Sequence, residues 1–187
     1  MIGTEFVAKS APDGYTLLST LGPSHHTIQF FSKNVPYDPV KDFTPITQVA
    51  GASNIFVTHP SLPARNFKEF IAYAKANPKK VTFASAGVAS VGHLTGELLN
   101  DMAGIDMLHV PYKGSGQAIS DLVGGHVKVM ISGMASTLPH VRSGKLIGIV
   151  TTGAKRTPAT PDIPTIAETY PGFESSSWFG VLGPAGM

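Results

Sequence analysis

The chain has 187 residues, a net charge of +2, 42% apolar residues and no Cys. That length allows one or two domains and the apolar share allows a real core, while the lack of Cys excludes disulfides, thiol catalysis and thiolate metal sites. Charged residues are only 14%, against a typical ~25%, and neither a Lys/Arg stripe nor a strong net charge marks a nucleic-acid footprint.

No apolar run approaches the ~18 residues a membrane-spanning helix needs, so direct membrane insertion is not expected. The start, Met1-Ile2-Gly3-Thr4-Glu5-Phe6, has no basic segment followed by an apolar one, so no export signal is expected within it. After the turn Ala11-Pro12-Asp13-Gly14, Tyr15 to Thr20 reads as a short buried strand. Ser24 is suited to cap a helix over about His25 to Ser32. Pro36 and Pro39 make Val35 to Phe43 a loop, and Thr44 to Thr58 carries two apolar runs. Asn66-Phe67-Lys68-Glu69 has the capping-box spacing, followed by Phe67, Phe70, Ile71 and Ala74 at helical intervals.

Val81 to Ser85 reads as a strand, then a small-residue loop, then a helix capped by Ser90 with Val91, Leu94, Leu98 and Met102 as its inward stripe. Gly104 ends it. Met107 to Val110 is the next strand, followed by a helix capped by Ser115 with Ala118, Ile119, Leu122 and Val123 inward. Val127 to Ile131 and Leu146 to Thr151 are strands on either side of a short helix capped by Ser136. Pro158, Pro161 and Pro164 stiffen the connection to the last strand, Ser176 to Leu182. Strand–helix alternation with short loops predicts an α/β fold with a largely parallel sheet. Ligands of such sheets bind beyond the carboxyl ends of the strands.

Three strand-to-helix loops lie there. Ser85, Ala86, Gly87, Val88, Ala89, Ser90, Val91, Gly92 and His93 lead into a helix start, where the backbone N–H groups and the helix dipole favour an anion. The plain alternative is an ordinary capped helix. His93 either donates to a ligand or packs neutrally. In the second loop, Tyr112-Lys113-Gly114, the lysine either attracts a carboxylate or is a solvated surface charge. The third, Gly22-Pro23-Ser24-His25-His26, has tandem His residues. Neighbouring residues on a helix diverge by about 100°, so no metal site is expected. Trp178-Phe179 is either core, a crossing between domains, or a ligand-facing pair.

Catalytic patterns are missing. No Gly-x-Ser-x-Gly, P-loop, His-Glu-x-x-His or Gly-x-Gly-x-x-Gly occurs. Ser90 with His93 is the one local nucleophile–base pair, at a weak spacing. Loops rich in neutral donors favour binding over turnover, so no enzyme and no cofactor are expected. The alternatives are a small-molecule-processing α/β enzyme (hydrolase or transferase) and an effector-sensing module. The second would need a helix-turn-helix segment, and none is present.

Ala11-Pro12-Asp13-Gly14-Tyr15-Thr16-Leu17-Leu18 and Val35-Pro36-Tyr37-Asp38-Pro39-Val40-Lys41-Asp42-Phe43 resemble the extracytoplasmic solute receptors of tripartite tricarboxylate transporters, the Bug family. The likeness continues through Ala84-Ser85-Ala86-Gly87, His109-Val110-Pro111-Tyr112-Lys113-Gly114-Ser115, Ser136-Thr137-Leu138-Pro139-His140 and Ser177-Trp178-Phe179-Gly180, over essentially the whole chain. The resemblance implies a type II-like periplasmic-binding-protein fold, with a partial first lobe at 1–55, a complete second lobe at 56–175 and a returning crossing strand at 176–187. It also implies a small carboxylated organic solute held between lobes that hinge near residues 50–58 and 174–182, delivery to membrane permease subunits, and a periplasmic location. By position the implied ligand residues are Gly22, Pro23, Ser24, His25, Ser85, Ala86, Gly87, Ala89, Ser90, His93, Tyr112 and Lys113. Ala89 stands where the family generally has Gly, and Ser132-Gly133-Met134 departs from the family's acidic or amide residues. The family's export signal and first ligand loop would lie upstream of Ile2, and helices completing its first lobe beyond Met187.

Overall fold

A computed structural model describes residues 2–187, apart from the side chains of Pro23 and Ser24. It divides into two compact units, Met1–Gly51 with Ser177–Met187, and Ala52–Ser176.

The first unit holds helix α1 (Ile2–Ala8), strand β1 (Leu18–Leu21), helix α2 (Gly22–Phe31), the first part of strand β2 (Phe43–Thr58), and nearly all of the last strand, Ser176–Pro184. β1 pairs antiparallel with that last strand, Leu18 facing Leu182. Its core is Val7, Tyr37, Phe43 and Leu182, with Leu18, Ile28 and Val35 packed against them. Two expectations change here. Tyr15 is 92% exposed, so the strand begins only at Leu18. α2 starts at Gly22, with Leu21 at the N-cap and no side-chain cap bond, because Pro23 with its preset φ suits the first turn.

The second unit contains the rest of β2, then α3 (Phe67–Ala76), β3 (Thr82–Ser85), α4 (Val91–Ala103), β4 (Leu108–Pro111), α5 (Ser115–Val123), β5 (Val129–Gly133), α6 (Met134–Arg142) and β6 (Ile147–Thr151). A 3-10 turn at Ile166–Glu168 follows, and β7 (Ser176–Pro184) is the returning strand. β3 runs parallel to β4 and β5, while β2 is antiparallel to both β5 and β6. The four strands β3 to β6 therefore share one direction, as the alternation predicts, and β2 opposes them.

Period-2 alternation divides the interior in two. Phe56, Phe83, Val129 and Ile131 face one side, with α3 and α4 contributing Phe70, Ile71 and Leu99. Ile55, Val57, Ala84 and Met130 face the other, with Ala118, Ile119 and Leu122 of α5. Each fully buried Phe or Leu contributes roughly 1.5–3 kcal/mol of transfer free energy. The Asn66 cap forms as predicted, its side chain accepting from Glu69 N–H while Glu69 accepts from Arg65 N–H.

The predicted stripe of α4 is corrected. Its buried residues are Val91, Gly92, Thr95, Gly96, Leu99 and Ala103, whereas Leu98 and Met102 are each 37% exposed. The cause is close packing. A Cβ on Gly92 would collide with the Ile131 carbonyl, and one on Gly96 with the Phe83 ring. The glycines seat the helix on the sheet and turn the larger residues outward. α5 and α6 also begin on glycine N-caps, Gly114 and Gly133, without the expected Ser115 and Ser136 caps. Ser136 instead donates back to the Gly133 carbonyl.

Candidate functional site

In the second unit, β3, β4 and β5 end on one edge of the sheet and each leads into a helix, so the N-termini of α4, α5 and α6 collect there. Three hydroxyls converge at two of these starts: Ser132 Oγ lies 3.5 Å from both Ser115 Oγ and Ser136 Oγ. Such an edge favours an anion through helix dipoles and neutral donors, without a cation.

The loop between β3 and α4 is the most built part of this edge. Ser85 is fully buried; its Oγ accepts from Gly87 N–H at 3.1 Å and lies 3.0 Å from the Gly87 carbonyl. Gly87 has φ 137°, and a Cβ there would press on the Tyr112 carbonyl. Ala89 holds a left-handed φ of 63°, a region costly for a residue with a Cβ. Ser90 caps α4, accepting from His93 N–H. The Ala89 N–H donates to His93 Nδ1 at 3.2 Å, and His93 Nε2 lies 3.9 Å from Glu97 Oε1. Backbone bonds from Tyr112 N–H to Ser85 and from Gly114 N–H to Ala86 tie this loop to the next.

The eight sequence-indicated residues of this unit, Ser85, Ala86, Gly87, Ala89, Ser90, His93, Tyr112 and Lys113, thus share the strand-end edge. Their roles differ. Ala86 and Lys113 are exposed, whereas Ala89 is buried. Tyr112 donates its hydroxyl to Asp121, and burial with that carboxylate raises its pKa. Neither hydroxyl–imidazole pair is set for nucleophilic attack. Ser90 Oγ takes the backbone N–H of His93, whose ring nitrogen faces Ala89 instead. Ser85 Oγ sits 2.6 Å from His109 Nε2 but is buried and closes a turn onto Gly87.

His109 is the residue that sequence reasoning missed. Its ring stacks on His93 with centroids 4.0 Å apart and packs on Phe83. Burial, then the neighbouring His93, pushes its pKa down to about 4. The available signal was parity: His109 pairs with Phe83 across β3 and β4, so it faces α4. Ser132, where the sequence departs from the family's acidic or amide residues, is likewise part of the edge.

In the first unit, Gly22 lies under the Trp178 indole, with no room for a Cβ. His25 is buried, stacked on Tyr37 and edge-on to Phe43, its Nε2 3.1 Å from the Pro39 carbonyl. Burial lowers its pKa. The side chains of Pro23 and Ser24, also indicated by the sequence, lie outside the described residues. Among the described residues, no three His, Asp or Glu are placed to hold a metal ion. No described helix is long and apolar enough to cross a membrane.

A family profile described as tripartite tricarboxylate transporter family receptor matches residues 1–187. Protein BugT of Bordetella pertussis is 38% identical over all of this chain and 58% of its own length. The chain therefore spans rather more than half of this curated relative. A solved R. palustris protein described as Rpa4515 with adipate is 35% identical, with a TM-score of 0.91 over 99% of this chain and 62% of that one. MatC from Rhodopseudomonas palustris, described with bound malate, is 32% identical, with a TM-score of 0.86 over 99% and 63%.

Proposed function

The chain belongs to the tripartite tricarboxylate transporter receptor family, and on that premise we propose that it is an extracytoplasmic, non-catalytic receptor for a small carboxylated organic solute, which it passes to membrane permease subunits. The observation that carries this reading is the strand-end edge of the second unit. Three helix starts and the hydroxyls of Ser115, Ser132 and Ser136 offer an anion neutral donors there. Solved relatives described with adipate and malate hold ligands of that chemical class. Both are small dicarboxylates. The eight residues of the second unit indicated by the sequence, with Ser132 added, are the proposed surroundings of the solute.

The reading is tested by adding adipate, malate and the uncharged adipamide to the isotopically labelled chain and following backbone amides by NMR. Saturable shifts at Gly87, Ser90, Ser115 and Gly133 with the diacids, absent with the diamide, are expected. Receptor binding also stabilises the fold by mass action without consuming the solute. Shifts that do not saturate, or that fall equally on remote amides, would sink the proposal.

A further inference from the structure

The polar groups of the strand-end edge are not equally available. In the loop over residues 85–90 they are committed to one another. Ser85 Oγ lies 2.6 Å from His109 Nε2, 3.0 Å from the Gly87 carbonyl and 3.1 Å from the Gly87 nitrogen. Ser90 Oγ accepts from His93 N–H at 3.3 Å. The Ala89 N–H donates to His93 Nδ1, and the Ser90 N–H to the Gly87 carbonyl, each at 3.2 Å. In the neighbouring loop the Tyr112 hydroxyl donates to Asp121 at 2.8 Å. The starts of α5 and α6 differ. Ser115 Oγ and Ser132 Oγ meet only at 3.5 Å, longer than an ordinary bond between hydroxyls, so both can turn to an incoming acceptor.

What the 85–90 loop does present is hydrocarbon. Ala86 is exposed, and Val88 is 59% exposed although Ala89, the next residue, is buried. A single exposed Val is ordinary on a protein surface. This one lies in a loop whose backbone turns sharply on both sides of it, with φ 137° at Gly87 and 63° at Ala89. The loop is also joined to the hydroxyl side. Gly114 N–H donates to the Ala86 carbonyl at 3.1 Å, and Gly114 is the N-cap of α5, one residue before Ser115. An apolar surface and a hydroxyl surface therefore adjoin along one edge. Lys113, in the same connection, is exposed. Its ammonium attracts every diacid alike and does not distinguish one carbon chain from another.

We propose that Val88 is a specificity-determining residue: its side chain covers the hydrocarbon part of a carboxylate held at the starts of α5 and α6, so that the edge selects carboxylates with an unsubstituted carbon chain over hydroxylated ones of the same length. This rests on reading the edge as a carboxylate site. A chain hydroxyl laid against Val88 gives up water without gaining a partner there, because the loop hydroxyls and the Gly87, Ala89 and Ser90 amides are already engaged. A methylene in the same place gains about fourfold in affinity when it is buried.

NMR on the whole chain tests it, with valine methyls and backbone amides labelled and two probes of equal length, adipate and galactarate, the latter the same diacid with a hydroxyl on every inner carbon. Both are expected to give saturable shifts at the Ser115 and Gly133 amides. Adipate should bind about tenfold more tightly, as for one or two methylenes laid on Val88, and its methylenes should show nuclear Overhauser contacts to the Val88 methyls. Val88→Thr keeps the shape of an exposed side chain and exchanges a methyl for a hydroxyl. It should weaken adipate about fourfold and leave galactarate no weaker, whereas Val88→Ile should keep the preference. The inference is overturned if the two diacids bind alike, if Val88→Thr leaves their ratio unchanged, or if adipate binds without reaching the Val88 methyls; in each case saturable shifts at Ser115 and Gly133 leave the carboxylate reading standing. If neither diacid gives saturable shifts there, the carboxylate reading fails and this inference falls with it.

Discussion

Ala89 carries a conformation that glycine would adopt freely, and its surroundings over-determine it. Its φ is 63°, its side chain is buried and its N–H is bound to His93. Ala89→Gly removes about 1–2 kcal/mol of left-handed strain but loosens the unfolded chain by about 0.4–1 kcal/mol. A net change in urea midpoint equivalent to about 0–1.6 kcal/mol is therefore expected, in the stabilising direction. Ala89→Val has a β-branch at positive φ in a buried place and should lose more than about 1 kcal/mol in the same measurement. A neighbouring residue sets a pH dependence. The pKa of His109 is pushed from 6.5 to about 4, first by burial and then by His93. The folded ring refuses a proton that the unfolded chain accepts, so its contribution to stability is complete above about 6.5, declines below that and is lost by about 4. Thermal midpoints should fall across this window. His109→Gln, which keeps a donor near Nε2, should flatten the fall, leaving the part due to His25, whose pKa is also lowered by burial.

Helix α3 shows what local sequence can specify. Asn66 and Glu69 exchange bonds within four residues, so nothing outside the segment is needed to recognise the cap. Asn66→Ala should cost about 1 kcal/mol in equilibrium unfolding. Helix α4 shows the limit. Its capping Ser90 and its Gly104 stop were legible, since both act on their own backbone, but its buried face was not. Leu98 and Met102 look like core by hydropathy, yet Gly92 and Gly96 face the sheet because a carbonyl and a ring on other strands crowd them. The site divides the same way. The Ser85 to His93 loop could be read as a loop before a helix, whereas His109 and Ser132 join it only through strand pairing, a long-range fact. Between β6 and β7, the stiff Pro-rich connection is pinned by Arg156, which makes two bonds to Glu168. That guanidinium, then the Thr165 N–H, pushes the Glu168 carboxyl down to about 2. Its stabilising effect is present above about 4.5 and is lost as pH falls toward about 2, softened by solvent because the pair is exposed. Amide exchange in the 156–168 segment should accelerate through that acid window, and Glu168→Gln should remove the pH dependence while already exchanging faster at neutral pH.

The two units bury their apolar residues unequally, and that asymmetry governs the behaviour of the whole chain. The second unit closes two clusters, one on each face of its sheet, around residues with almost no exposure such as Phe56, Phe83, Val57 and Met130. Among the described residues, the first has a core of four buried side chains. Ile2 is 88% exposed, Phe6 67% and Phe30 79%, all in that unit. Ile2 and Phe6 stand four apart on α1 and so share a helix face. Apolar surface of this kind drives association when nothing covers it. Stability should also be uneven, because backbone hydrogen bonds are protected in proportion to the buried structure around them. We therefore expect concentration-dependent self-association by sedimentation velocity, together with amide exchange that is fast in α1 and α2 and slow in β2, β3 and β5. The double variant Phe6→Ser, Phe30→Ser should restore a monomer without changing the slow amides of the second unit. A control variant, Leu98→Ser with Met102→Ser, alters the largest exposed residues of α4 and should leave association as it was. If the control dissolved the oligomer and the first pair did not, the associating surface would be α4 and not the first unit.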